Sequence, residues 1–101
     1  MLSSESSDIL IIIATKPKVF VAACTTWCGP CKKINVDELQ ALVPDVHVQK
    51  IDVEQNQEFT QQYTIRSVPT IFLFKNGELV QNFVGLRTNE EYKQLVDELL
   101  G

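Results

Sequence analysis

Between Val19 and Val53 the chain sets two strand-like runs on either side of a segment with helical spacing, and few arrangements satisfy that order. Val19 to Cys24 is a continuous apolar run bounded upstream by Pro17, the pattern of a strand buried on both faces. Ile34, Leu39, Leu42 and Val43 then recur near a period of 3.6, and Pro44 closes that segment. Val46, Val48, Ile51 and Val53 form the next strand. Strand, helix, strand in this order demands a parallel pair with a right-handed crossover.

The rest of the chain adds to this unit. Ile9 to Ala14 follows a Ser7-Asp8 cap signal and is read as a short helix, although its β-branched content also suits a strand. Asn56 to Tyr63 fits another helix with Asn56 as its cap. Pro69 opens a strand over Thr70 to Phe74, Asn76-Gly77 is a hairpin turn, and Leu79 to Val84 is the returning strand. Thr88 and Glu91 form a capping box for a last helix whose inner face is Tyr92, Leu95, Val96 and Leu99. The expectation is one α/β domain over residues 1–101, a mixed central β-sheet with helices on both faces.

Composition excludes several classes of function. The net charge of −4 favours neither nucleic acid nor an anionic membrane surface. The longest apolar run, Ile9 to Ala14, is far shorter than the roughly 18–20 residues that span a bilayer. No Lys or Arg precedes it and no cleavage site follows, so a signal peptide is not expected and the cytoplasm is the default compartment.

The 3 cysteines, Cys24, Cys28 and Cys31, are clustered, and the count is odd. A disulfide framework would spread an even number along the chain, so one local site is the better reading. Cys28-Gly29-Pro30-Cys31 stands between the buried strand and a helix. Orphan N–H groups at a helix start favour a thiolate, which makes Cys28 the candidate nucleophile. Pro30 suits an early helical position, and Gly29 allows a tight turn that leaves the sulfur open. Cys31, one turn further in, is the candidate resolving thiol. The competing reading is a metal or iron–sulfur site, since Cys24, Cys28 and Cys31 also have the spacing of a radical-SAM cluster loop. A structural zinc needs four ligands, and only His47 could join the cysteines, so no metal is expected.

Trp27-Cys28-Gly29-Pro30-Cys31-Lys32 resembles the active-site signature of the thioredoxin family. The likeness extends to Lys50-Ile51-Asp52-Val53, Ile65-Arg66-Ser67-Val68-Pro69-Thr70, Phe74-Lys75-Asn76-Gly77-Glu78 and Val84-Gly85. The resemblance implies the thioredoxin fold and a protein-disulfide reductase, with no cofactor beyond a redox-active Cys28–Cys31 disulfide. It implies protein disulfides as substrates, an NADPH-dependent thioredoxin reductase as electron source, and a monomer. It makes Pro69 a cis proline beside the sulfurs and Lys50 the buried-site lysine. It puts substrate on Trp27, Gly29, Pro30, Val68, Gly85 and Leu86, with the Val68 backbone pairing an extended segment.

Read without the resemblance, several of these residues have plainer roles. Cys24 is a small core residue, Lys50 a strand lysine whose amine reaches water, Pro69 a strand-start proline. Trp27 could be surface packing, Arg66 is solvated, and His47 is given no role. The chain also departs from the family. Ala22 replaces a usually buried Asp, Cys24 a Trp, and Val36 a kinking proline, which predicts a straighter helix. The first edge strand is expected to be reduced or absent. Loss of the Asp gives weight to a second hypothesis, a binding module that grips partners through its apolar surface with incidental redox activity. A specialised oxidant or isomerase is a third, and Gly29-Pro30 argues against it.

Overall fold

The computed structural model describes residues 5–25 and 29–101, apart from the side chains of residues 5–8 and of Pro30. In chain order the elements are α1 (Glu5–Thr15), β1 (Lys18–Cys24), a 3₁₀ turn (Pro30–Lys33), α2 (Val36–Leu42), β2 (His47–Asp52), α3 (Gln57–Tyr63), β3 (Thr70–Lys75), β4 (Glu78–Val84) and α4 (Asn89–Leu99). The sheet runs β2-β1-β3-β4. β1 and β2 are parallel, with Ala22 opposite Lys50 and Cys24 opposite Asp52. β3 is antiparallel to β1, and β4 to β3, with an irregularity between Leu73 and Phe74.

Alternation along β1 divides the core. Phe20, Ala22 and Cys24 face one layer with Cys31, Leu39, Tyr92 and Val96, while Val19, Val21 and Ala23 face the other with Ile9, Ile13, Phe59, Phe72 and Phe74. β1 is buried along nearly its whole length because helices cover it on both sides. The last helix forms as its sequence predicts: the Thr88 side chain accepts from Glu91 N–H, and Glu91 accepts in return from Thr88 N–H.

Three local expectations are corrected. α1 starts at Glu5, so Ser7 lies inside the helix and is not its cap. Ile9 and Ile13, one turn apart, are both buried, and this packing overrides the β-branched preference of the run. Asn56 does precede α3 but makes no side-chain cap; its Nδ2 donates instead to Asp52 O at 2.8 Å. The third correction concerns the segment after the cysteines. It is not one straight helix: the 3₁₀ turn ends, Ile34 is extended, and α2 begins afresh. Asn35 sits in an extended conformation and its side chain accepts Glu38 N–H at 2.9 Å. A good N-cap residue at 35 thus breaks the helix where no proline does.

Among the described residues no strand precedes α1, and β2 is an edge of the sheet. Gln40 of α2 reaches this edge. Its Nε2 donates to Val43 O at 3.1 Å and Val46 O at 2.6 Å, and its Oε1 accepts Val48 N–H at 3.0 Å. Val46 and Val48 direct their backbone groups to the same side of the strand, so one side chain satisfies part of the open ladder.

Candidate active site

The site gathers where β1 ends, around the 3₁₀ turn, and in the loops flanking β3 and β4. Trp27 and Cys28 lie outside the described residues. Gly29 has φ −60° and ψ −52°, ordinary helical values, and a Cβ there would meet nothing within 4 Å. The tight-turn role expected for Gly29 is therefore not required by the backbone. Pro30 opens the 3₁₀ turn, where its missing N–H costs nothing. That turn is short and broken from α2, so the two do not add their dipoles as one continuous helix would.

Cys31 lies inside the turn and is only 2% exposed. It packs in the same core layer as Ala22 and Cys24. Its carbonyl oxygen accepts Ile34 N–H at 3.2 Å and the Lys50 ammonium at 3.3 Å. Lys50 Nζ also donates to Ile34 O at 3.4 Å. Lys50 is itself exposed. Its register partner Ala22 has no carboxylate to offer, so the ammonium binds the carbonyls that end the 3₁₀ turn.

On the outer side, the Val68–Pro69 peptide is cis. Thr70 Oγ1 donates to Ser67 O across this corner. Gly85 N–H donates to Pro69 O at 3.0 Å, which ties the loop after β4 to the proline. Gly85 has φ +112°, a conformation that favours glycine. Gly29, Val68, Pro69, Gly85 and Leu86 lie together along one groove of about 590 Å³. Lys33 also lines that groove. The sequence reading missed it, although its place two residues after Cys31 in a turn was a usable signal. Pro69 itself is buried, whereas Arg66 is exposed and outside the groove. The His47 ring bonds the Gln49 side chain, at 2.8 Å. Among the described residues no group of His, Cys, Asp and Glu is arranged to hold a metal ion.

The turn thus holds a buried cysteine, Cys31, between two residues that line a groove running to a cis proline. Known proteins share this fold. A family model described as Thioredoxin matches residues 5–98. The thioredoxin of Bacillus subtilis is 40% identical over 77 residues, covering 73% of this chain and 74% of that protein. The thioredoxin of Chlamydia pneumoniae is 33% identical over 100 residues, covering 97% of this chain and 95% of that protein. Among solved structures, a mutant thioredoxin from Halobacterium salinarum superposes with a TM-score of 0.83 at 30% identity, covering 100% of this chain and 97% of that one. Plasmodium falciparum thioredoxin gives 0.82 at 31% identity, covering 91% of each chain. Motif, architecture and relatives agree: the chain belongs to the thioredoxin family, and its activity is that of a protein-disulfide reductase.

Proposed function

We propose that the reductase works by dithiol–disulfide exchange at Cys28 and Cys31. The Cys28 thiolate attacks one sulfur of a substrate disulfide. That S–S bond breaks, a mixed disulfide forms on Cys28, and the first substrate sulfur leaves as thiolate. The Cys31 thiolate then attacks the Cys28 sulfur. The second substrate thiolate departs, and the Cys28–Cys31 disulfide carries the two oxidising equivalents. No other cofactor enters; an NADPH-dependent thioredoxin reductase returns the pair to dithiol. Substrate lies on Trp27, Gly29, Pro30, Val68, Pro69, Gly85 and Leu86, with the Val68 backbone pairing an extended segment. The chain acts as a monomer in the cytoplasm, where the thiol pool is kept reduced.

The observation that carries this assignment is the burial of Cys31 in a turn whose residues on either side, Gly29 and Lys33, line the groove. A shielded thiol cannot meet a bulky protein disulfide first, but it can reach a sulfur already bound at its neighbour. With a protein disulfide as substrate, Cys31→Ser is expected to accumulate a covalent adduct on Cys28, and Cys28→Ser to trap none. Mass spectrometry without reductant reads both. An adduct in Cys28→Ser but not in Cys31→Ser would reverse the roles. Insulin reduction that survives Cys28→Ser would remove them, and would favour a binding module with incidental chemistry.

A further inference from the structure

Cys31 lines a second pocket of about 380 Å³ that shares no lining residue with the substrate groove. Cys24, Thr25, Cys31, Lys50, Asp52 and Asn56 line it. Two polar atoms on its wall, Thr25 Oγ1 and Asn56 Oδ1, are buried and have no hydrogen-bond partner among the described residues. Thr25 is 8% exposed and Asn56 1%. Buried oxygens of this kind are normally satisfied by protein or by ordered water, and this pocket is roomy enough for water. Asp52 supplies the single carboxylate of the lining. It is half-buried at the end of β2, level with Cys24. Its Oδ1 accepts Glu54 N–H at 2.8 Å, and a carboxylate has further lone pairs with which to accept from water.

The exchange reaction needs such a place. Cys31 must lose its proton before it can attack, and Ala22 cannot accept one. From the pocket and its unmatched oxygens we infer that Asp52 is the proton acceptor for Cys31, reached through water held by Thr25 Oγ1 and Asn56 Oδ1. This rests on the roles given above to Cys28 and Cys31. The proton passes from Cys31 Sγ to the water and from the water to the Asp52 carboxylate. The Cys31 thiolate forms its bond to Cys28 Sγ as the bond from Cys28 to the substrate sulfur breaks. The electron pair leaves on the substrate thiolate, and half-buried Asp52 returns its proton to solvent. The other ionisable groups on the wall are Cys24, Lys32 and Lys50. The two ammonium groups favour the thiolate product, and the Lys50 ammonium is fixed on the Cys31 carbonyl itself.

The test separates the two steps by quenched-flow alkylation and mass spectrometry on the full chain. Asp52→Ala is expected to form the mixed disulfide at the parental rate and to resolve it roughly ten- to a hundredfold more slowly, the lower range for a positioned base. Added formate, small enough for the vacated wall, should restore part of the rate in Asp52→Ala and leave the parent unchanged. Asp52→Asn, closer in shape, should be equally slow, and Ala22→Asp should resolve quickly with or without Asp52. Resolution at the parental rate in both Asp52 variants would overturn the assignment. So would a loss that neither formate nor Ala22→Asp repairs. If Cys31→Ser traps an adduct while the Asp52 variants behave as the parent, exchange stands and only the acceptor is wrong. If Cys31→Ser traps nothing, the exchange assignment itself fails.

Discussion

Tyr92 shows how one side chain can tie stability to pH. Its ring is fully buried, edge-on to Phe20 with centroids 5.2 Å apart and stacked near Phe83 at 6.2 Å. Its oxygen accepts Arg87 N–H at 3.0 Å. Burial pushes the phenol above its ordinary value, and the hydrogen bond from Arg87 opposes that shift without cancelling it. Tyr63 is shifted in the same direction by burial. In the unfolded chain both phenols ionise at a lower pH than in the fold. Their contribution is therefore complete below the unfolded pKa of about 10 and is lost as pH rises from there towards the folded value. Tyr92→Phe is expected to cost about 0.5–1.5 kcal/mol near neutrality, because the Arg87 N–H loses its acceptor. It should also flatten the alkaline decline. Urea midpoints near neutrality and at about pH 11 measure both, and parallel declines in parent and variant would count against Tyr92 as the source.

At the scale of an element, the break between the 3₁₀ turn and α2 decides where the active-site helix points. Asn35→Ala removes the acceptor for Glu38 N–H and is expected to cost about 1 kcal/mol. Asn89 Nδ2 also donates to Asn35 O, at 3.3 Å, and that backbone bond should survive. A denaturation midpoint equal to the parent's would show that the cap contributes nothing. This break also marks the limit of what the sequence discloses. Strand and helix types are written in apolar spacing, as in Val19 to Cys24 and in Tyr92 with Val96, and the capping box at Thr88 is legible residue by residue. Val36 in a proline's place says only that a kink has lost one cause; that Asn35 supplies another depends on its backbone leaving the helix. The groove was readable only through the family motif, because Gly29, Pro69 and Leu86 are far apart in the chain. The pocket that Cys31 lines was not readable at all. Thr25, Asp52 and Asn56 are common residues whose meaning comes from β1 and β2 ending at the same level.

Across the whole molecule, the parallel pair β1 and β2 brings Cys24, Asp52 and Lys50 to one end of the sheet, and the cis-proline corner brings the loop after β4 to the same end. The opposite requirement falls on the outer side of β2, where the sheet stops and α2 lends it Gln40. Exposed parallel edges are templates for strands of any origin, and proteins guard them with charge, proline or a covering element. Here the Gln40 amide covers part of the edge. Gln40→Leu keeps the volume but frees Val46 O and Val48 N–H together. Its first symptom is expected to be self-association that grows with protein concentration, while disulfide reduction in dilute solution stays near the parental rate. Light scattering across a concentration series would detect it, and a variant that stays monodisperse would show that the edge is safe without the amide. A chain that does its chemistry at one end of the sheet thus keeps its solubility at the other margin, and the two can drift apart under mutation without either revealing the other's loss.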